Sequence, residues 1–187
     1  QRVVNLHWQN GRMNPALLAK DINVIIDKTK LAHRSDKNTR FLILPTQEAG
    51  PDAIVSGEKM SQFLTLYLAE DFDHALKLAI KIQNYQGAGH SLGLHSKNDK
   101  RAHQMAMSAK TCRVIVNQAH CFATGGFFNN GLPFSLSMGC GSWGGNSIDE
   151  NLNWEHFINK VKIVRVIEED KPNLEDLFGD YWSKVLP

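Results

Sequence analysis

Apolar positions in this chain alternate between a period near 3.6 and short continuous runs, and the switches mark its elements. Asn14-Pro15 offers an N-cap followed by proline at the first helical position, and Leu18, Ile22, Ile25 and Ile26 then share one face. This predicts a helix over 15–31, followed by a polar loop over 33–39. Phe41-Leu42-Ile43-Leu44 reads as a short buried strand closed by Pro45, and 46–57 is loop-like. Residues 63–68 read as a strand. Glu70, Asp71 and Asp73 then place negative charge where a helix begins, and Phe72, Leu76, Ala79 and Ile82 continue as its apolar face. Gly87 and Gly89 stop that helix. A second strand is predicted over 90–95, a helix capped by Asn98 carries Ala102, Met105, Ala106 and Ala109, and a third strand covers 113–117. Beyond it lie a short helix over 153–160, an alternating half-buried strand over 161–167 and a terminal helix over 172–182.

Strand, helix, strand, helix and strand with short links define an α/β fold built on parallel pairing with right-handed crossovers. In such sheets ligands bind beyond the carboxyl ends of the strands. The stretch 113–146 leaves the third strand at that end and carries half of the chain's 14 glycines. A loop of this length inside a compact domain is usually functional or disordered. Phe122, Phe127, Phe128, Phe134, Leu136 and Trp143 give it apolar surface to bury, so an ordered ligand-facing loop is expected. His90, at the start of its strand, sits less comfortably in that scheme.

Length and charge narrow the class. A chain of 187 residues, 42% hydrophobic and 21% charged, has the composition of one globular domain with a real core. The formal net charge is +2 and the basic residues are dispersed, so neither nucleic acid nor a membrane surface is expected as a partner. Cys112, Cys121 and Cys140 lack CxxC spacing and are odd in number, which argues against a disulfide framework and for a reducing cytoplasm. His90, His95, His103 and His120 beside Cys121 match no short zinc signature, and no metal is expected. The chain opens at Gln1 without methionine, and its first dozen residues read as the middle of a longer polypeptide.

Four blocks in order carry more information than any one of them. They are Gly57-Glu58-Lys59-Met60-Ser61, then Tyr85-Gln86-Gly87-Ala88-Gly89-His90, then Arg113-Val114-Ile115-Val116-Asn117, and last the glycine-rich run from Leu136 to Asn146. Together they resemble the acylating, CoA-dependent branch of the aldehyde dehydrogenase superfamily, over nearly the whole chain. The resemblance implies the C-terminal part of that family's catalytic region, without the nucleophile segment and most of the dinucleotide-binding domain. It implies a cysteine thiolate attacking an aldehyde, NAD or NADP accepting hydride, and coenzyme A taking the acyl group as cosubstrate. The nucleophilic cysteine is expected upstream of Gln1, the full-length protein is expected to be a homo-oligomer, and the chain alone is expected to be inactive.

Residue by residue, the resemblance makes Glu58 the carboxylate near the nicotinamide ribose and His90 the catalytic histidine near the nucleophile. Read alone, Glu58 is an ordinary loop carboxylate and His90 a strand-edge histidine satisfied by backbone. Asn117-Gln118-Ala119-His120-Cys121 and the ending Leu177 to Trp182 resemble, within the branch, enzymes of small anionic aldehydes, sulfoacetaldehyde ahead of succinate semialdehyde. Asn117, His120 and Thr124 are the candidate substrate contacts, with Gln118, Asn129 and Asn130 as further neutral donors. Gly125-Gly126 can bring backbone N–H groups to an anion, and Arg113 can add a charge-assisted bond. Cys121 is the strongest rival nucleophile, but neighbours in an extended segment face opposite ways, which separates it from His120. A non-catalytic binding or subunit-interaction module derived from the same family is the competing reading.

Overall fold

The computed structural model describes residues 2–185, and the chain divides into two compact units, Gln1–His156 and Phe157–Pro187. The first unit opens with α1 (Arg2–His7) and the hairpin β1 (Trp8–Gln9) and β2 (Arg12–Met13). Its turn is Asn10-Gly11, with φ of 53° and 74°, a dipeptide that two-residue hairpins favour.

The helix expected over 15–31 is shorter and starts later. Asn14 does cap, its side chain accepting from the Ala16 N–H at 3.0 Å, but only a 3₁₀ turn, Pro15–Leu17, follows. Ala19 then takes a left-handed conformation, φ 52°, and donates its N–H to Met60 O. α2 (Ile22–Thr29) begins afresh at Asp21, whose carboxylate accepts from the Asn23 N–H at 2.8 Å. Two caps in series therefore split one apolar periodicity. The predicted face is the core in its helical part: Ile22, Ile25 and Ile26 are buried together, with Leu17 taking the place expected of Leu18, and Leu6 and Leu42 pack against them.

The α/β expectation holds, with a different pairing. β3 (Leu42–Pro45) runs parallel to β4 (Phe63–Leu66). α3 (Phe72–Tyr85) follows, capped by Asp71, which accepts from the His74 N–H at 2.8 Å. β5 (Leu92–Leu94) and β6 (Val114–Val116) form a second parallel pair, joined through α4 (Asp99–Ser108), whose cap is Asn98 as the sequence implied. Among the described residues β4 and β5 share no ladder, and β4 pairs instead with the upstream β3. The strand–helix–strand–helix–strand run is thus shared between two sheets rather than laid in one.

In the second unit, the alternation at 161–167 forms no strand among the described residues. A strand persists only where a neighbour takes its backbone N–H and C=O groups, and none of the described chain does so. Val161, Val164 and Val166 are accordingly at least 90% exposed. The terminal helix is present as α6 (Leu174–Val185).

His7 is the least expected core residue. It is fully buried, Nδ1 donates to Val3 O at 2.9 Å, and the ring packs 4.8 Å from that of Phe63. Nε2 has no partner among the described residues. Burial lowers the His7 pKa below the usual histidine value, against the Val3 bond, which raises it; the nearby Lys59 charge lowers it further. The folded chain then binds fewer protons than the unfolded one as pH falls below about 6.5, so protonation favours unfolding there. Urea midpoints are expected to fall as pH drops from neutrality through this window. His7→Asn, which keeps a donor near the Nδ1 position, is expected to flatten that decline. An unchanged slope in the variant would show that His7 is not its source.

Candidate active site around His90

The site is built on a close crossing of two backbones. Gly89 bridges Thr111 in parallel register, donating to Lys110 O at 2.7 Å and accepting from Cys112 N at 3.0 Å. Its φ is +85°, and a Cβ there would collide with the Cys140 carbonyl. Only glycine fits both demands, and it sets His90 between the end of α3 and the glycine-rich loop.

Arg113 fixes the other side. It is 5% exposed, and no carboxylate bonds its guanidinium among the described residues. Nε donates to Asn151 Oδ1 at 2.9 Å, and one terminal nitrogen donates to Gly139 O at 2.9 Å and His90 O at 3.2 Å. Asn151, fully buried, donates onward to Thr124 O and Pro133 O, each at 2.9 Å. The anion contact considered for Arg113 is therefore replaced by a structural one: its charge is spent on neutral oxygens that tie the loop to the His90 backbone.

The loop is ordered by this polar network rather than by its apolar residues. Phe122, Phe128, Phe134 and Leu136 are more than 60% exposed, against the burial expected of them. Alternating polar ties leave these side chains on the outside, where Phe122, Phe127, Phe128 and Phe134 contact one another edge to face or tilted.

Within the loop the chain forms one helical turn, α5 (His120–Ala123), and this brings His120 to His90. β5 and β6 are each three residues long, roughly 10 Å, so α5 folds back along β5. His120 Nδ1 packs over Gly93, where a Cβ would stand 3.0 Å away. Ser91 Oγ lies 2.6 Å from His90 Nδ1 and 2.8 Å from His120 Nε2. The site therefore gathers at the amino end of β5, not beyond the carboxyl ends of the strands as open α/β sheets suggest. His90, Ser91 and His120 line a cavity of about 400 Å³ with Ile82, Gln86 and Leu92. Burial lowers the His120 pKa, and repulsion from a charged His90 lowers it further.

Glu58 stands nearby on a second cavity of about 490 Å³, which shares Ile82 with the first. Its carboxylate is exposed, while its backbone N–H donates to Gln86 Oε1 at 2.8 Å. The other two candidate contacts are used locally. Asn117, with φ 54°, accepts from Ser96 N at 2.9 Å and donates to Ser96 O at 2.7 Å. Thr124 is buried, its hydroxyl donating to His120 O at 3.0 Å. Of the three proposed substrate contacts, only His120 shares the cavity with His90; the amide of Asn117 and the hydroxyl of Thr124 are committed to the scaffold.

No family model matches the chain. It is 42% identical over 184 residues to a sulfoacetaldehyde dehydrogenase (acylating) of Cupriavidus necator, covering 98% of this chain and 37% of that protein. A succinate-semialdehyde dehydrogenase (acetylating) of Clostridium kluyveri is 34% identical over 173 residues, covering 92% and 38%. Among solved structures, a probable aldehyde dehydrogenase of Listeria monocytogenes superposes with a TM-score of 0.80 at 30% identity, over 95% of this chain and 38% of that one. The chain is homologous to a part of the acylating aldehyde dehydrogenases. It spans under two-fifths of the length of these relatives.

Against that family background the cysteines are informative. Burial pushes the Cys112 thiol up, more than the Arg113 charge lowers it, which disfavours the thiolate. Cys121 is exposed, and it sits on the turn of α5 rather than in the extended segment expected. Successive residues there are about 100° apart, and His120 Nε2 is already engaged by Ser91. The separation of Cys121 from His120 thus survives with a different cause. Sequence reasoning passed over Ser91, Gln86 and Asn151. Gln86 lay inside a recognised block, whereas nothing in the local sequence distinguishes Asn151 from its neighbouring asparagines.

Asn151→Ala is expected to cost about 2–4 kcal/mol, since it strands the buried Arg113 Nε–H and two carbonyls. Asn151→Asp keeps an acceptor for Arg113 but buries a second ion and turns both donations into contacts between a carboxylate oxygen and a carbonyl, so it too should fall below the parent. Urea unfolding of the three proteins checks the order. Equal stability of Asn151→Ala and the parent would remove the clamp from the account.

Proposed function

We propose that the full-length protein is an acylating aldehyde dehydrogenase, and that this chain supplies the C-terminal part of its catalytic region with His90 as a proton-transfer residue. What carries the reading is the coincidence of two facts. The relative most similar among those described is named for that chemistry, and the histidine matching the family pattern stands in a cavity with a second imidazole and a hydroxyl. His90 Nε2 has no protein partner among the described residues, so it is the nitrogen free to exchange a proton with a reacting thiol or water. The nucleophilic cysteine comes from sequence outside these 187 residues.

The residues around Glu58 fit a nicotinamide nucleotide. An exposed carboxylate at the rim of a cavity walled by Phe63, Leu64 and Ile82, with Thr65 and Tyr67 among them, offers the two acceptors a ribose diol needs. When bound, the nicotinamide supplies the hydride acceptor. Glu58 would hold the ribose, and Gln86 ties the Glu58 backbone to the His90 cavity. Coenzyme A is the acyl acceptor as cosubstrate.

The aldehyde is small and anionic, sulfoacetaldehyde ahead of succinate semialdehyde. The identities to the Cupriavidus and Clostridium relatives support that order. Thr124 is buried in the scaffold, whereas Asn117, bonded to Ser96, still borders with Gln118 and Asn129 a separate cavity of about 250 Å³ that Phe122 and Phe127 also line. The test is kinetic, on the full-length protein with coenzyme A and either nicotinamide cofactor. Sulfoacetaldehyde is expected to give the highest kcat/KM, acetaldehyde the lowest, and the 187-residue chain alone no turnover. Acetaldehyde matching both anionic substrates would remove anion selection, succinate semialdehyde leading would reverse the order, and turnover by the short chain would overturn the division of the catalytic unit.

A further inference from the structure

Ser91 joins two imidazoles with one hydroxyl. Its oxygen is 2.6 Å from His90 Nδ1 and 2.8 Å from His120 Nε2, both hydrogen-bond distances for a hydroxyl. A hydroxyl carries one proton, so it donates to one ring and accepts from the other. The two tautomers are therefore locked to each other. If Ser91 donates to His120 Nε2, neutral His120 carries its proton on Nδ1, and His90 must donate from Nδ1. If Ser91 donates to His90 Nδ1, both rings carry their protons on Nε2 instead.

The demands of a base select between these states, and this step rests on the function proposed above. Nδ1 of His90 is occupied by Ser91, so the nitrogen open to reactants is Nε2. A base needs that nitrogen bare, which puts the proton of neutral His90 on Nδ1. We infer that Ser91 and His120 are positioning residues that hold His90 in its Nδ1–H tautomer, Ser91 accepting from His90 and donating to His120 Nε2. A neutral His120 is the acceptor this polarity needs, and burial favours it. When His90 Nε2 takes up a proton, the Nδ1–H bond to Ser91 is kept and the charge stays on His90, because burial disfavours a charged His120. The packing of the His120 ring on Gly93, where any side chain would crowd Nδ1, keeps it facing Ser91.

The state predicted is the one a free neutral imidazole disfavours, which makes it measurable. Long-range ¹H–¹⁵N spectra of ¹⁵N-histidine-labelled chain, recorded where the rings are neutral, report the tautomer of each of the eight histidines. His90→Ala and His120→Phe assign the two signals. Parent protein is expected to show Nδ1–H at both His90 and His120. Ser91→Ala and His120→Phe are expected to return His90 towards Nε2–H, and Ser91→Thr, which restores the hydroxyl, to recover Nδ1–H. In the full-length enzyme Ser91→Ala is expected to lower kcat by roughly ten- to a hundredfold with KM little changed, less than the largest losses of proton transfer itself. Nε2–H at His90 in the parent, or an unchanged His90 tautomer in Ser91→Ala, would overturn the positioning role. Neither result bears on whether the full-length protein oxidises aldehydes with coenzyme A, which the substrate assay decides separately.

Discussion

The arrangement depends on one buried cation that no described residue neutralises. Arg113 holds the His90 carbonyl, the Gly139 carbonyl and the Asn151 amide at once, so the segment leading into β5 and the loop that follows β6 cannot move independently. Burying a guanidinium is costly unless its donors are paired. The structure meets that cost with neutral oxygens, leaving one terminal nitrogen without a partner among the described residues. A carboxylate in the same place would neutralise the charge but add a second ion to desolvate. Asn151 instead both receives from Arg113 and donates to Thr124 and Pro133, so one small side chain closes the loop on itself.

That constraint explains how an open, glycine-rich segment carries ordered chemistry. Its aromatic residues remain largely exposed, and its shape comes from backbone and amide bonds around Asn151, Asn130 and Asn117. Gly89 lets the Cys140 carbonyl approach, and Gly93 lets the Nδ1 edge of His120 come up to β5. Function then follows from the order of these contacts. The clamp sets His90, the short strands let α5 fold back, and Ser91 joins the two rings that result.

Much of this was legible before any coordinates. The acidic start of α3, the cap at Asn98, the apolar face Ile22, Ile25 and Ile26, and the strands around Leu64, Gly93 and Ile115 follow from local rules that tertiary structure left intact. The misreadings share a cause: periodicity describes a face but not its partner. Ala19 and Asp21 interrupt a helix whose apolar face looks continuous, because a backbone bond to Met60 outweighs one more helical turn. Val161 to Ile167 alternates like a strand and pairs with nothing in the described chain. At the site, His90 and Glu58 were found by resemblance, whereas Ser91 and Asn151 act through contacts 29 and 38 residues apart in sequence, which no local pattern encodes.

The central claim is that this framework exists to present His90 to the reacting centre of an acylating aldehyde dehydrogenase. Its most direct test is the burst of reduced nicotinamide when aldehyde meets the full-length enzyme without coenzyme A, compared between the parent and His90→Ala. The claim predicts a burst rate lower by about 10²- to 10⁴-fold in the variant, the span general acid–base catalysis usually supplies, with folding and cofactor affinity preserved. A burst of undiminished rate in a folded His90→Ala enzyme would contradict it.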